Sequence, residues 1–199
     1  MIEIKNLHKK YNGITVVDDL SLSVNKGEVL GFLGPNGAGK STTMKMITGF
    51  IEPSSGEIKI KDYLITNLSY EVKKYIGYLP EGAPMYGEMT TYDFLLFIAK
   101  IRGVEKNNIN NSIDSVISDL SLQDVIYKRI EHLSKGFKRR VGIAQAIIHD
   151  PEILIMDEPT DGLDPNQKYD VRELIKKILK DKTIIVSTHI LEEVEAVCT

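Results

Sequence analysis

The chain has 199 residues, 42% of them hydrophobic and 27% charged, with a formal net charge of −3 at pH 7. Such a composition can form a sizeable core in one large domain, and the slight acidic excess argues against binding nucleic acid by general electrostatic attraction. Cys198 is the only cysteine, which excludes an intrachain disulfide and a cysteine-rich metal site and fits a reducing cytosol.

The first 33 residues predict β-strands. Apolar residues at Ile2, Ile4 and Leu7 lead in, Asn12-Gly13 is a turn signal, and the segment from Ile14 to Val24 alternates imperfectly. The N-terminus lacks the basic and then apolar order of a signal peptide, and no apolar run approaches the ~20 residues that span a bilayer. If the protein works at a membrane, we expect another chain to supply the membrane-spanning part.

A phosphate-binding loop is predicted between a buried strand at 28–33 and a helix that runs from Thr42 to a stop at Gly49. The loop has the form G-x-x-x-x-G-K-[ST], the P-loop or Walker A motif, and consists of Gly34, Pro35, Asn36, Gly37, Ala38, Gly39, Lys40 and Ser41. Its glycines let several N–H groups point at one anion, to which the helix N-terminus adds partial positive charge. We expect the loop and Thr42 to bind nucleotide phosphates, with Lys40 on the β- and γ-phosphates and the Ser41 hydroxyl on Mg²⁺.

A turn at 53–56 and a strand at 57–60 follow, and a further short strand, Ile76–Leu79, ends at Pro80. The pattern then becomes helical. Helices are predicted from Thr90 as N-cap, from Ile113 to Leu120 and from Lys135 to His149, with a polar connection at 105–111. The last of these helices carries a basic cluster, which we interpret as a solvated helix face: Lys135, Lys138, Arg139 and Arg140.

A second anchor is the apolar strand Ile153–Met156, which ends in Asp157 and Glu158. Beside a phosphate loop, a carboxylate at a strand tip can hold Mg²⁺ and the following acid can act as general base on the attacking water. We therefore predict that Asp157 binds the metal and that Glu158 activates water.

Helix and strand alternate again toward the end. Pro165 predicts a helix start, and a buried strand over Thr183–Ser187 leads to His189. The helix after Pro165 has an apolar stripe of Val171, Leu174, Ile175, Ile178 and Leu179. The expected fold is an α/β P-loop NTPase core with an N-terminal antiparallel β subdomain and a helical subdomain inserted at about 82–150.

The segment Leu133–Val141 resembles the signature sequence of ABC ATPases, which usually begins Leu-Ser-Gly-Gly; here lysine is third and phenylalanine fifth. The resemblance extends through Asp150-Pro151 and the segment 157–165, and it covers essentially the whole chain. It implies one ABC ATPase domain over 1–199. Family members usually continue past the position of His189 with more helix and strands, so we expect the chain to be truncated within a helix at its C-terminus.

The resemblance also implies a head-to-tail dimer that holds two ATP molecules. Each nucleotide lies on the phosphate loop of one subunit and meets Ser134 and Gly136 of the other, where a hydroxyl, an N–H and a helix N-terminus form a second anion site. Asp164 matches the loop that crosses this interface, and it also suits a helix N-cap. The remaining matches are His189 with the switch histidine, Tyr11 with the aromatic that stacks on adenine, and Val16 beside it.

One departure from the family concerns the residue after the strand at 76–79, where Glu81 replaces the usual glutamine. That glutamine touches Mg²⁺ and links the ATP site to the membrane partner, and a carboxylate is also a good ligand for a hard cation. The Leu-Pro-Glu sequence, followed by Met85-Tyr86 and Met89-Thr90, resembles the exporter branch that includes drug-resistance and gliding-motility ATPases.

The leading hypothesis is an ATP-hydrolysing subunit, cytoplasmic and peripheral on the inner face of the membrane, that pairs with a transmembrane permease and powers export. Its catalytic residues are Glu158, His189 and Lys40. A soluble ABC ATPase acting on ribosomes or DNA, and a nucleotide-binding module that scarcely hydrolyses, remain as alternatives. A P-loop kinase leaves the signature segment unexplained. The transported substrate contacts the membrane partner, so this sequence does not identify it.

Overall fold

A computed structural model describes residues 1–65, 70–178 and 182–198. Leu179 of the predicted apolar stripe lies outside these ranges. The strands and helices in chain order are β1 (Ile2–Tyr11), β2 (Ile14–Val24), β3 (Val29–Leu33), α1 (Lys40–Ile47), β4 (Ser55–Ile60), β5 (Tyr63–Leu64), α2 (Tyr70–Lys73), β6 (Ile76–Leu79), α3 (Thr91–Ile101), α4 (Ile109–Asp119), α5 (Lys135–Ile147), β7 (Ile153–Asp157), α6 (Pro165–Ile178), β8 (Thr183–Thr188) and α7 (Leu191–Val197).

The N-terminal strands form an antiparallel sheet in the order β2-β1-β4-β5. The predicted turn between β1 and β2 is present, with positive φ angles of 48° at Asn12 and 84° at Gly13, as a tight two-residue hairpin requires. One side of the sheet is apolar because alternate residues of β1 and β4 point the same way. Ile2, Ile4 and Ile58 are buried there and pack with Ile47 of α1.

The second sheet is parallel, in the order β3-β8-β7-β6. Its two inner strands, β7 and β8, are buried along their whole length, as the continuous apolar runs predicted. Because the strands are parallel, the loops after β3, β6, β7 and β8 all leave from one edge. This edge brings the phosphate loop, Glu81, Asp157 and His189 to the same side of the molecule.

Three helices, α3, α4 and α5, lie between β6 and β7 in the chain and share a core that includes Phe94, Ile113 and Val141. Thr90 caps α3 as predicted: its Oγ accepts the N–H of Asp93 at 3.1 Å. The prediction for α4 was wrong at its start, because the helix begins at Ile109 rather than Ile113. Ile109 is buried and extends the apolar stripe by one turn, so the polar connection is shorter than predicted.

The C-terminal helix α7 packs against β3. A Cβ placed on Gly31 of β3 would lie 2.7 Å from Cys198 Sγ and 3.1 Å from a methyl carbon of Val194. Only a residue without a side chain therefore allows this close approach. In the described part of the chain, no helix is both long enough and apolar enough to cross a membrane.

Candidate functional site

A cleft of about 310 Å³ lies at the carboxyl edge of the parallel sheet. Most of the residues predicted to bind nucleotide line it, together with two carboxylates. The lining residues are Val16, Asn36, Gly37, Ala38, Gly39, Lys40, Ser41, Thr42, Glu81 and Glu158. The N-terminus of α1 opens into the cleft, so the free N–H groups of its first turn face this space.

Two glycines give the loop its shape. Gly37 and Gly39 have φ angles of +87° and +88°, which residues with a side chain rarely adopt. A Cβ on Gly39 would also lie 2.7 Å from the carbonyl oxygen of Val16. The loop can therefore curl tightly against β2 only because these positions carry no side chain.

Lys40 is the first residue of α1, and its ammonium group is held by the loop itself. Lys40 Nζ donates to the carbonyl oxygens of Gly34 at 2.6 Å and Pro35 at 3.2 Å. The same group lies 3.5 Å from Glu158 Oε1. The positive charge is thus directed into the cleft, between the loop and the carboxylate predicted to activate water.

The two acids after β7 have different environments. Asp157 is 1% exposed; its Oδ1 accepts a hydrogen bond from the Ser187 hydroxyl, while its buried Oδ2 has no partner. Glu158 has a φ of 50°, a strained value for a residue with a side chain. Its N–H donates to Ser187 Oγ at 3.0 Å, so a single serine holds both acids in place.

His189 contacts the catalytic candidate directly. Its Nδ1 lies 3.0 Å from Glu158 Oε2, and its side chain is 46% exposed at the mouth of the site. Glu158 therefore lies between Lys40 on one carboxylate oxygen and His189 on the other. The sequence prediction placed these three residues in one site, and the structure brings them into contact.

The residues present fit a Mg²⁺ ion. The unpartnered buried Oδ2 of Asp157 is a hard anionic oxygen, and Ser41 and Glu81 add oxygen donors from the wall of the cleft. In the described residues there is no group of three or more His, Cys, Asp or Glu side chains that could hold a metal. Such a donor set, poor in protein ligands, suits a cation that is also bound by substrate phosphates.

Comparison with known proteins gives the same family as the motifs do. The family model described as ABC transporter matches residues 17–161. This chain belongs to the ABC transporter family.

Relatives of known name agree over nearly the whole chain. The bacitracin transport ATP-binding protein BcrA of Bacillus licheniformis is 41% identical over 197 residues, which cover 98% of this chain and 63% of that protein. The uncharacterized ABC transporter ATP-binding protein YhcH of Bacillus subtilis is 39% identical over 201 residues. That alignment covers 100% of this chain and 65% of YhcH, so the chain spans less than two thirds of the length of these relatives.

The fold is likewise that of a solved ABC cassette. The dimeric structure of MJ0796, a bacterial ABC transporter cassette, superimposes with a TM-score of 0.90 at 25% identity, covering 98% of this chain and 91% of that one. The predicted fold class, an α/β P-loop NTPase core with an antiparallel β region and added helices, is confirmed.

The signature residues of the ABC family lie apart from the cleft. Ser134 is the N-cap of α5, and its Oγ accepts the N–H of Phe137 at 3.3 Å, but neither it nor Gly136 is among the described residues that line the cleft. A Cβ on Gly136 would instead meet the side-chain amide of Gln167. Asp164 caps the adjacent helix α6, since its Oδ1 accepts the N–H groups of Asn166 and Gln167, both at 3.0 Å.

Tyr11 and Val16 occupy the β1–β2 hairpin beside the loop. Val16 lines the cleft. Tyr11 is 44% exposed at the end of β1, with Lys9 Nζ 5.0 Å from its ring centroid, and it does not line the cleft. An exposed ring at this edge is available to stack on a base, and its role remains a prediction.

The sequence analysis missed two residues that hold Asp157 and Glu158 beside the cleft. Ser187 was treated only as part of a buried strand, although a small hydroxyl residue next to the strand tip was the available signal. Arg139 was assigned with its neighbours to a solvated helix face, which is wrong: Arg139 is 8% exposed and donates to main-chain carbonyls beside Glu158. One arginine in a basic run at helical spacing can face inward, and the run alone did not reveal which one.

Proposed function

We propose that this chain is the ATP-binding and ATP-hydrolysing subunit of a membrane ABC exporter. The observation that carries the proposal is the position of Glu158 between Lys40 and His189, in the cleft formed by the phosphate loop. This arrangement combines an anion cradle, a cation and a general base at one point. Membership of the ABC transporter family supports the same activity.

In this proposal, the N–H groups of the loop and of the first turn of α1 bind the phosphates of ATP. Lys40 exchanges its contacts with loop carbonyls for the β- and γ-phosphate oxygens, and it stabilises charge that develops on them. Tyr11 stacks on adenine and Val16 packs beside it.

Glu158 takes a proton from the attacking water as the water oxygen bonds to the γ-phosphorus. The bond from that phosphorus to the bridging oxygen breaks, and ADP and phosphate leave. His189, hydrogen-bonded to the Glu158 carboxylate, keeps that base in line with the water. Asp157, Ser41 and Glu81 would hold Mg²⁺, which would neutralise charge on the phosphate oxygens.

The active form is a head-to-tail dimer in which Ser134 and Gly136 of one subunit meet the ATP held by the other. Two observations support it: these residues do not line their own chain's cleft among the residues described, and a structurally similar ABC cassette is dimeric. The start of α5 offers a hydroxyl and free N–H groups to a γ-phosphate.

The dimer works at the inner face of the cell membrane with a separate permease subunit. Support comes from the family assignment and from BcrA, a bacitracin transport ATP-binding protein that is 41% identical. Co-purification of this chain with a multi-span protein from solubilised membranes tests the pairing. We propose no nucleic-acid partner, in line with the net charge of −3.

The test of the ATPase proposal is the variant Glu158→Gln, assayed for magnesium-dependent phosphate release. We expect turnover to fall by at least about a hundredfold, because an amide cannot accept the proton of the water. ATP binding persists, and the variant accumulates as an ATP-bound dimer, detectable by light scattering.

Glu57→Gln is the control, since Glu57 is exposed on β4 and outside the cleft; it should retain full turnover. Wild-type protein that binds ATP without releasing phosphate would instead support the non-hydrolysing module. Unchanged turnover in Glu158→Gln would remove the assigned base.

A further inference from the structure

Arg139 is a buried cation beside the site. It lies on α5 and is 8% exposed. Its guanidinium donates to four main-chain carbonyls from two separate loops. Nε donates to Pro159 at 3.0 Å, Nη1 to Pro80 at 3.4 Å, and Nη2 to both Asp157 at 2.6 Å and Glu158.

The acceptors on the first loop are three consecutive carbonyls, at 157, 158 and 159. Consecutive carbonyls normally diverge, and here they converge on one group where Glu158 adopts its φ of 50°. A planar guanidinium with five N–H donors in a fixed fork can hold such a set, whereas a single ammonium group cannot. Through its hydrogen bonds to these carbonyls, Arg139 thus holds the main-chain turn that directs the Glu158 carboxylate toward Lys40.

The acceptor on the second loop is the carbonyl of Pro80, which precedes Glu81. One side chain therefore joins the ends of β6 and β7, the two strands that deliver Glu81 and Glu158 to the cleft. Burial lowers the pKa of Arg139, while the nearby Asp161, Asp157, Glu158 and Glu81 charges act in the opposite direction. The enclosed charge is compensated by the carboxylates it helps to place.

We propose that Arg139 is a positioning residue for ATP hydrolysis, which holds the main chain of Glu158 and Glu81 so that both carboxylates face the phosphate loop. The inference rests on the proposed function of the cleft. Arg139 acts through the backbone of the general base, and its side chain contributes no atom to the described lining of the cleft. Loss of the Arg139 side chain lowers the rate of the chemical step but leaves the affinity of the phosphate loop for ATP unchanged.

Arg140 offers a matched control on the same helix. It pairs with Asp170 at 2.9 Å and donates to the carbonyl of Leu120 at 3.3 Å, so these partners differ from the four carbonyls that Arg139 binds. Arg139→Gln and Arg140→Gln thus remove the same charge from neighbouring positions. Arg139→Lys keeps the charge and loses the fork.

The experiment measures kcat, KM for ATP and MgATP-binding stoichiometry for wild type and the three variants, with kcat expressed per binding-competent site. For Arg139→Gln we expect kcat to fall by at least about tenfold with KM within about threefold of wild type. Arg139→Lys regains part of the rate, and Arg140→Gln stays within about twofold. If Arg139→Gln yields no folded protein, kcat per site is compared between Arg139→Lys and Arg140→Gln instead, and we expect the lower value in Arg139→Lys.

A kcat per site that is unchanged in Arg139→Lys and Arg139→Gln overturns the proposal. So does a rise in KM at constant kcat, which would assign Arg139 to binding, or an equal loss in Arg140→Gln, which would indicate a general effect of charge. These outcomes leave the proposed function standing, since that depends on phosphate release by the wild-type protein.

Discussion

Glu158 shows how a single backbone angle can serve a reaction. A strand that simply continued past Asp157 would carry the next side chain to the opposite face. The left-handed φ of 50° breaks that alternation, and the carboxylate lies within 3.5 Å of Lys40 and 3.0 Å of His189. Holding a side-chain residue in this region costs about 1 kcal/mol or more. The hydrogen bond that the Glu158 N–H donates to Ser187 Oγ and those that Arg139 donates to nearby carbonyls offset that cost.

Glu81 gives a prediction at the same scale. The change Glu81→Gln removes one of the carboxylates around the cleft and restores the amide usual in the ABC family. We expect ATP affinity to stay within about threefold of wild type, because the phosphate loop carries most of the binding. The Mg²⁺ concentration for half-maximal phosphate release should rise, since an amide oxygen is a weaker ligand for a hard cation.

Nucleotide affinity, from fluorescence of a labelled ATP analogue, and a magnesium titration of turnover check this. Glu88→Gln is the control, as Glu88 is exposed and outside the cleft. A loss of ATP affinity of about tenfold or more in Glu81→Gln alone contradicts the prediction.

Individual residues also show which parts of the candidate site the sequence could reveal. The positions of Gly34 to Ser41, Asp157 and His189 at one edge of the parallel sheet were predictable from local order: a loop between strand and helix, or a polar residue at a strand tip. Ser187 and Arg139 were not, because each contacts segments 18 to 59 positions away in sequence. Which side chain faces such a segment depends on the assembled fold.

Among the elements, α5 joins two parts of the site. Ser134 is its N-cap, and Arg139 lies five residues later, about 7.5 Å along the helix. Gly142 allows its close seating on the end of β6, where an added Cβ would lie 2.8 Å from Ala83 Cβ and 2.9 Å from Leu79 Cδ1. The helix that begins after Ser134 is therefore tied to the Glu158 loop through Arg139.

The end of the same helix gives a pH prediction. His149 packs under β6 with Nε2 3.2 Å from the Ile76 carbonyl, and its buried Nδ1 has no partner. Burial lowers the pKa of His149 from 6.5 to about 4; the charges of Arg102 and Lys182 add to this, while the Ile76 carbonyl and Asp150 oppose it. Between pH 6.5 and 4 the unfolded chain binds a proton that the folded chain does not, so stability falls as the pH is lowered.

The loss over that window is on the order of 3 kcal/mol. Urea unfolding at a series of pH values measures it. His149→Gln should flatten the slope between pH 6.5 and 4, whereas His132→Gln, at a histidine whose side chain is 70% exposed, should leave it unchanged. An identical slope in wild type and His149→Gln would assign the pH dependence to other groups.

Element prediction succeeded where the apolar pattern was strong. The runs of β7 and β8 and the stripe of α6 have few alternatives. The start of α4 was hidden because Asn107, Asn108 and Asn110 surround Ile109, and asparagine favours turns over helices. The short β5 and α2 have two and four residues, which is too few for an apolar pattern to reveal them.

For the whole molecule, the main consequence concerns assembly. A cleft that holds Lys40 and Glu158, and a signature helix that does not line it, predict that each complete site draws on two chains. Mixing Lys40→Ala with Ser134→Arg protein creates one intact site in each mixed pair. We expect phosphate release to recover to about a quarter of wild type under random pairing, although each variant alone is inactive.

The matched control is a mixture of Lys40→Ala with Glu158→Gln. Lys40 and Glu158 belong to the same chain's half of the site, so these two variants cannot complement each other. Recovery in both mixtures, or in neither, is incompatible with a head-to-tail arrangement.

The contact between Cys198 and Gly31 has a practical consequence for spectroscopic work on this protein. The chain offers one native thiol, and an experimenter would naturally attach a dye or spin label to it. A label on Cys198 would lie where even a methyl group on Gly31 of β3 has no room. It would therefore push α7 away from β3, the strand that leads into the phosphate loop. Labels belong on a cysteine introduced elsewhere, such as at exposed Ser115, after the native sulfur has been replaced.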